Sequence, residues 1–408
     1  MRKLFVASSL LILPLLVGAF SSPALAWSDH YTITTGALRP VTSLVGKTVP
    51  YTSFQSLIHA LGYANRIDFN THLQISKHYV FAPKLGEKPG QQISVLAILS
   101  KYSDEPDWGM DQELFGPHEY PQLWDPAYSM MGGKLGVPSQ AFRHMYWQAF
   151  DIWHPFETFK LPLNKEFKSM GQAPERAALF VQLSREAHAK GQPYWSVRFL
   201  ADALHYLQDC AQPYHTVQVP TIKFLYFPFF SKYGHGLHHF VAQMTNIIVY
   251  YHFSFEDFVA KVMVNALNGS GNIAGNQFLA YLSADKHGPR SLSYQDHNMA
   301  RLVRHMAHLG MKQAAAAGSA SIKFFPKIDE DYLTMDPRFK DHEMGVPVPP
   351  QHKIGFEDAT WWAKTEAAGA HSSPARQQYF NVIRKMFGPL GYAVRQVVTS
   401  ELNWLTNP

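Results

Sequence analysis

The residues best suited to chemistry lie in the segment Ala203–His215, which reads ALHYLQDCAQPYH. His205 and Asp209 are four residues apart near the end of a predicted helix, so their side chains share one face. Pro213 ends that helix and places His215 on the following loop. Two imidazoles and one carboxylate at this spacing are a typical zinc ligand set.

The first part of the chain predicts a signal peptide over residues 1–26. Two basic residues precede an apolar run over 4–20, and a small-x-small motif follows at 24–26. We expect the mature protein to begin at Trp27 and to be secreted or periplasmic. A retained membrane anchor is the alternative, although polar sequence follows the apolar run directly.

A chain that begins at Trp27 offers metal ligands of its own. The free α-amine and the first carbonyl oxygen of Trp27 can chelate a metal in a five-membered ring, and His30 is near enough to add a third bond. The alternative interpretation is that Trp27 simply packs in the core.

Two further segments carry candidate ligands. The turn over 102–111 contains four acids and is either a solvated loop or a segment that turns one acid toward a metal. Asp107 is the preferred candidate, with Asp104 as its competitor. His144 lies between aromatic residues, a setting that suits a packed core histidine as well as a ligand.

A third histidine cluster follows an aromatic-rich segment over 221–233. His235, His238 and His239 are spaced i, i+3 and i+4, so all three share a face of a helix. An apolar run follows them to about Tyr251, and a separate helix is expected from 255. The aromatic residues over 224–230 predict either a loop that inserts at a membrane interface or an ordinary hydrophobic plug.

Composition limits the class of protein. The 408 residues are 46% hydrophobic, which is enough for a substantial core. The net charge of +5 is mild and no dense Lys/Arg stripe accompanies it, so no nucleic acid is expected as a partner. The single cysteine, Cys210, forms no internal disulfide, and its position next to Asp209 favours a buried bystander over a ligand.

The hydrophobic periodicity predicts a series of helices, the last of them interrupted near Gly388 and Pro389. The proline- and charge-rich stretch over 324–356 predicts a linker or surface excursion. Helices are expected at 52–63, 91–101, 175–190, 194–211, 255–267, 293–316 and 375–404.

These features together resemble the zinc-dependent phospholipase C family, to which the single-strand-specific zinc nucleases are distantly related. The resemblance covers residues 27–318 and leaves 319–408 as a C-terminal extension. It rests on Trp27 directly after the signal, on His30, on a turn aspartate before a histidine flanked by aromatics, and on the motif His205-x-x-x-Asp209-x-x-Gln212-Pro213-x-His215.

The resemblance implies an all-α fold, a compact set of helices around three zinc ions. One zinc would take Asp107, His144, His205 and Asp209, and a second would take the Trp27 amine and carbonyl, His30 and the shared Asp209. The third would take His215 with His235 and His239. The family pattern at this last pair is His-x-x-x-Glu or His-x-x-x-Asp, so His239 stands in place of a carboxylate; a register set on His238 would place Ala242 there.

The expected activity is that of a secreted phospholipase C. It would hydrolyse a glycerophospholipid such as phosphatidylcholine to diacylglycerol and a phosphorylated headgroup, with a phospholipid membrane surface as its substrate and no protein partner inferred. Asp209 would bridge two zincs, and Asp107 would orient or deprotonate the attacking water. The alternatives are a zinc-dependent nuclease or nucleotidase, and a noncatalytic zinc-binding descendant.

Overall fold

The computed structural model describes residues 29–111, 143–147, 171–217, 219–224, 237–284, 289–328 and 373–406. Within them the chain is mainly helical, as the all-α prediction requires at the level of fold class. The helices are α1 His30–Leu38, α2 Phe54–Leu61, α3 Arg66–His72, α4 Val95–Tyr102, α5 Ala173–Ala189, α6 Pro193–Asp209, α7 Leu237–Leu267, α8 Ile273–Ser283, α9 Met299–Phe324, α10 Pro374–Glu401 and α11 Asn403–Thr406.

Several helix starts are capped by short polar side chains. Asp29 accepts a hydrogen bond from the Thr32 amide at the start of α1, and Ser373 accepts one from the Arg376 amide at the start of α10. Such caps satisfy amides that have no partner inside the helix. Helices α5, α6 and α10 also carry proline in their first turn, where its missing N–H costs nothing.

Helix α6 lies at the centre of the fold. Every residue from Tyr194 to Asp209 is buried, because α5, α4, α10 and α1 pack around the helix. Its buried Arg198 donates through Nε to Oε2 of Glu105 at 2.6 Å and through Nη2 to Oε1 at 2.5 Å. This bidentate pair ties the 3-10 turn Glu105–Asp107 to α6.

A small sheet accompanies the helices. Strands β1 (Thr48–Pro50) and β2 (Gln92–Ser94) pair antiparallel, with Val49 opposite Ile93. Three-residue strands are too short to give an alternating pattern, which is why the sequence does not indicate them.

Two predicted interruptions are wrong. Helix α7 is continuous from Leu237 to Leu267, and α10 continues through Pro389. Proline removes one helical hydrogen bond, but Met386, Phe387 and Leu390 are buried on either side of it. Packing of these residues outweighs the local cost.

The C-terminal helices share one core with the rest of the described chain. The boundary expected at 318/319 lies inside α9, and α10 packs against α9, α8 and α1. Tyr379 and Val394 of α10 are fully buried in the same hydrophobic cluster as Phe199 of α6. Among the described residues, no helix combines the length and apolar character needed to cross a bilayer.

Candidate metal centre

Four segments bring five candidate ligands together around the end of α6. His205 and Asp209 come from α6 itself and His30 from the first turn of α1. Asp107 comes from the turn that Arg198 holds, and His144 from the segment 143–147. We call these five residues the Asp209 group.

Asp209 is the common member of this group. Its Oδ2 lies 2.9 Å from Nδ1 of His144 and 3.2 Å from Nε2 of His205. Its Oδ1 lies 3.5 Å from Nε2 of His30. The two oxygens therefore face different sets of nitrogens, as a carboxylate does when it bridges two metal ions.

Asp107 closes the opposite side of the group. Its Oδ1 is 3.6 Å from Nε2 of His205 and 3.7 Å from Nδ1 of His144, and its Oδ2 is 3.8 Å from Nε2 of His30. The competing Asp104 instead accepts a hydrogen bond from the Tyr31 amide at 2.9 Å. The structure thus places Asp107, rather than Asp104, among the histidines.

Several ligand atoms of the group have no hydrogen-bond partner in the described part of the chain. They include Nε2 of His30, Oδ1 of Asp107 and Oδ1 of Asp209. Buried lone pairs without a partner are costly, and a cation at the centre would satisfy all of them. The donor set therefore fits a metal ion, and the two sets His30–Asp107–His205 and His144–His205–Asp209 each have ligand atoms within 4.8 Å of one another.

In three histidines, Nδ1 donates a hydrogen bond to an uncharged oxygen. Nδ1 of His30 donates to Oε1 of Gln208 at 2.9 Å, Nδ1 of His205 to the Ser103 carbonyl at 2.8 Å, and Nδ1 of His215 to the His144 carbonyl at 3.1 Å. These bonds place the proton on Nδ1 and leave the Nε2 lone pair free. That lone pair faces Asp209 in His30 and His205, and Glu256 in His215. Metal-binding histidines are oriented in this way.

Without a cation, protons would have to neutralise the buried carboxylates. Burial opposes a charge on His30 and His144, yet the adjacent carboxylates, Asp209 among them, raise the pKa of His30 to about 9 and that of His144 to about 10. Burial lowers the pKa of His205 to about 3 and raises that of Asp107 well above its usual range. The buried carboxylates therefore need positive charge beside them, which a bound metal ion would supply.

A second set lies beside the first, and we call it the Glu256 group. His215 is on the 3-10 turn Pro213–His215, while His252 and Glu256 are an i, i+4 pair on α7. Nε2 of His215 is 3.0 Å from Nε2 of His252, and both nitrogens lie within 3.2 Å of Oε1 of Glu256. Oε2 of Glu256 has no described partner. Two ring nitrogens this close need a proton or a cation between them.

The family resemblance implies His235 and His239 in the place that His252 and Glu256 occupy. His235 lies outside the described residues, as does the side chain of His239. The helical backbone at His239 precedes His252 by thirteen residues on α7, about 20 Å along the axis, so both cannot bind one ion. The partners that the structure gives His215 are therefore His252 and Glu256.

The pattern His252-x-x-x-Glu256 is a signal in the sequence that the predicted helix boundaries concealed. It lies in the segment YYHFSFEDF, where the apolar run ends at Tyr251 and a separate helix is predicted from 255. A break between the two would remove the spacing. A continuous helix places both side chains on one face.

Three remaining predictions concern neighbouring residues. Trp27 lies outside the described residues, and so do Phe227 and Phe229 of the aromatic segment. Phe224 is buried and stacks on Tyr251 with ring centroids 5.4 Å apart, so this residue belongs to the core rather than to an exposed surface. Cys210 is buried and belongs to neither group.

Comparisons of the chain with family models, with curated proteins and with solved structures give no match.

Proposed function

We propose that this chain is a secreted zinc-dependent phosphodiester hydrolase of the phospholipase C type. The observation that carries the proposal is the position of Asp209, whose two oxygens face separate sets of buried histidine nitrogens. A closed structural zinc site has four ligands and no need of a shared carboxylate. A bridging carboxylate is suited to a site that holds two ions for hydrolysis.

The Glu256 group supports the same proposal. The family that the sequence resembles has His-x-x-x-Glu or His-x-x-x-Asp after the central motif, and His252 with Glu256 has this form. His239 is then no longer needed in place of a carboxylate. With His252 and Glu256 as the pair, the main departure from the family pattern disappears.

Zinc suits the ligand types, which are imidazole nitrogens and carboxylate oxygens throughout. We propose three ions. The Asp209 group would hold two, with the Trp27 amine and carbonyl completing the one at His30, and the Glu256 group would hold the third. When bound, zinc would supply Lewis acidity toward phosphate oxygens and lower the pKa of a water.

The protein's own residues would direct the water. Asp107 is 14% exposed, whereas the side chains of His30, His205 and Asp209 are fully buried. Asp107 is therefore the member of the group whose side chain is partly exposed, although its Oδ1 is buried. A carboxylate in hydrogen-bond reach of a water can orient it and accept its proton. We assign to Asp107 the role of orienting that water and accepting its proton. We assign to Asp209 the role of a ligand shared by both halves of the Asp209 group.

A glycerophospholipid is the proposed substrate. The resemblance favours it, and the mild charge without a Lys/Arg stripe argues against nucleic acid. The products would be diacylglycerol and the phosphorylated headgroup.

The test measures release of phosphocholine from phosphatidylcholine vesicles, with single-stranded DNA as a parallel substrate and with and without a chelator. Asp209→Asn is the inactive variant. Asp296→Asn is its matched control, because Asp296 is 38% exposed and pairs with Arg301 at the surface. Release that requires metal and Asp209 supports the proposal. Cleavage of DNA alone, or no hydrolysis by zinc-loaded protein, contradicts it.

A further inference from the structure

Asp111 contacts His144, whose ring is oriented oppositely to the rings of His30 and His205 in the Asp209 group. His144 directs Nδ1 to the centre, 2.9 Å from both Oδ2 of Asp209 and Nε2 of His205. Its Nε2 points away from the centre and lies 3.3 Å from Oδ2 of Asp111. We infer that Asp111 is a positioning residue that makes His144 bind the metal through Nδ1. This inference rests on the proposed zinc site.

The distances leave Asp111 as the acceptor for His144. If the Nδ1 lone pair binds a metal, the ring proton must be on Nε2. In the described part of the chain Nε2 of His144 has no hydrogen-bond partner, and the Asp111 carboxylate lies 3.3 Å from it. Asp111 is 1% exposed, so water does not compete for the contact. Attraction between the N–H dipole and the carboxylate charge is strong in such surroundings.

Asp111 is itself fixed from three directions. Arg143 donates from Nη1 to its Oδ1 at 2.8 Å, Nη2 of Arg176 lies 3.7 Å from the same oxygen, and the Tyr206 hydroxyl donates to Oδ2 at 3.3 Å. Arg143 immediately precedes His144 in the chain. One carboxylate therefore holds both the backbone segment and the ring of His144.

The other histidines differ from His144 in the charge of their acceptor. His30, His205 and His215 donate to neutral amide or carbonyl oxygens. A carboxylate makes the opposite ring nitrogen a better electron donor than a neutral acceptor does. We therefore assign to Asp111 both the orientation of His144 and the strength of its bond to the metal.

Affinity for metal is the direct test. Asp111→Asn removes the charge and keeps the size, and zinc affinity is measured by competition with a chromogenic chelator. We expect affinity at the Asp209 group to fall about 10- to 100-fold. Cobalt(II) in place of zinc should show altered visible bands in this variant, since its spectrum reports ligand geometry.

Asp202→Asn is the matched control. Asp202 is as buried as Asp111, but neither of its oxygens has a described hydrogen-bond partner. An equal loss of affinity in both variants would overturn the inference, as would unchanged affinity in Asp111→Asn. Wild-type protein that binds no zinc would instead refute the proposed function itself.

A measurement on the wild-type protein covers the case in which Asp111→Asn does not fold. Long-range proton–nitrogen NMR of histidine-labelled, zinc-loaded protein distinguishes the two ring nitrogens. We expect His144 to bind zinc through Nδ1 and to carry its proton on Nε2, while His30, His205 and His215 show the reverse. Zinc bound to Nε2 of His144 would overturn the inference.

Discussion

The two candidate metal-binding groups are neighbours but are built differently. The Asp209 group takes ligands from four separate segments, and its two aspartates serve three histidines. The Glu256 group takes two of its three ligands from one face of α7 and has a single carboxylate. The first depends on the packing of the whole fold around α6, whereas the second needs only one helix and one turn. Changes at the first should therefore have the larger effects.

The largest effect is expected from Asp209→Asn. It removes the charge that both halves of the Asp209 group share, so the group should lose its metal and hydrolysis should fall by roughly a thousandfold or more. Initial rates on a short-chain phosphatidylcholine and zinc per chain by mass spectrometry would check this. The Glu256 group should keep its ion. Full zinc content in the variant would contradict the role of Asp209 as the shared ligand.

Glu256→Gln should have a smaller and more local effect. One equivalent of zinc should be lost and the rate should fall about 100-fold or less, because the Asp209 group keeps all its ligands. Exposed Glu186 supplies the control variant, Glu186→Gln. The same assays apply. Loss of every ion in Glu256→Gln would show that the two groups do not bind metal separately.

The pH dependence of stability separates metal-free from zinc-loaded protein. In metal-free protein the pKa of His30 is raised to about 9 and that of His144 to about 10, against an ordinary 6.5. Folded protein then holds more protons than unfolded protein above pH 6.5, so this stabilisation is complete below pH 6.5 and is lost as pH rises through 9 to 10.

Thermal unfolding from pH 6.5 to 9, with chelator and with zinc, measures this loss. The Tm difference between the zinc-loaded and the metal-free protein should widen as pH rises, because the metal takes the place of the protons. Burial lowers the pKa of His205 to about 3. Protonation of His205 therefore destabilises the folded protein, and only below pH 6.5. A constant Tm difference over the range would contradict the assignment of His30 and His144 as ligands.

The smallest effect on the site is expected from Cys210→Ser. Cys210 lies between the candidate ligands Asp209 and His215 in the chain, but it belongs to neither group. A buried hydroxyl in place of the thiol should lower the free energy of unfolding by about 1–3 kcal/mol and leave the zinc content unchanged. Urea unfolding and metal analysis of the variant would check both. Loss of zinc would make Cys210 a ligand after all.

Strong apolar periodicity separates the helices that the sequence indicates from those that it does not. Helices α5 and α6 lie almost at their predicted bounds. Helix α1 is not predicted. Its start carries a sequence signal nevertheless, because Asp29 caps the helix directly before the candidate ligand His30. Helix α7 is predicted in two parts and α10 with an interruption, because polar and proline residues suggest breaks that burial on both sides overrides.

The candidate site likewise has features that the local sequence indicates and features that it does not. Local spacing determined that His205 and Asp209 share a helix face, and the residue types by themselves suggested zinc. Only the tertiary structure decided which acid of the turn at 102–111 faces the histidines, that His252 and Glu256 join His215, and that Asp111 contacts His144 from behind. These contacts join residues far apart in the chain, and their distances depend on how the helices pack around α6 rather than on any spacing within one segment.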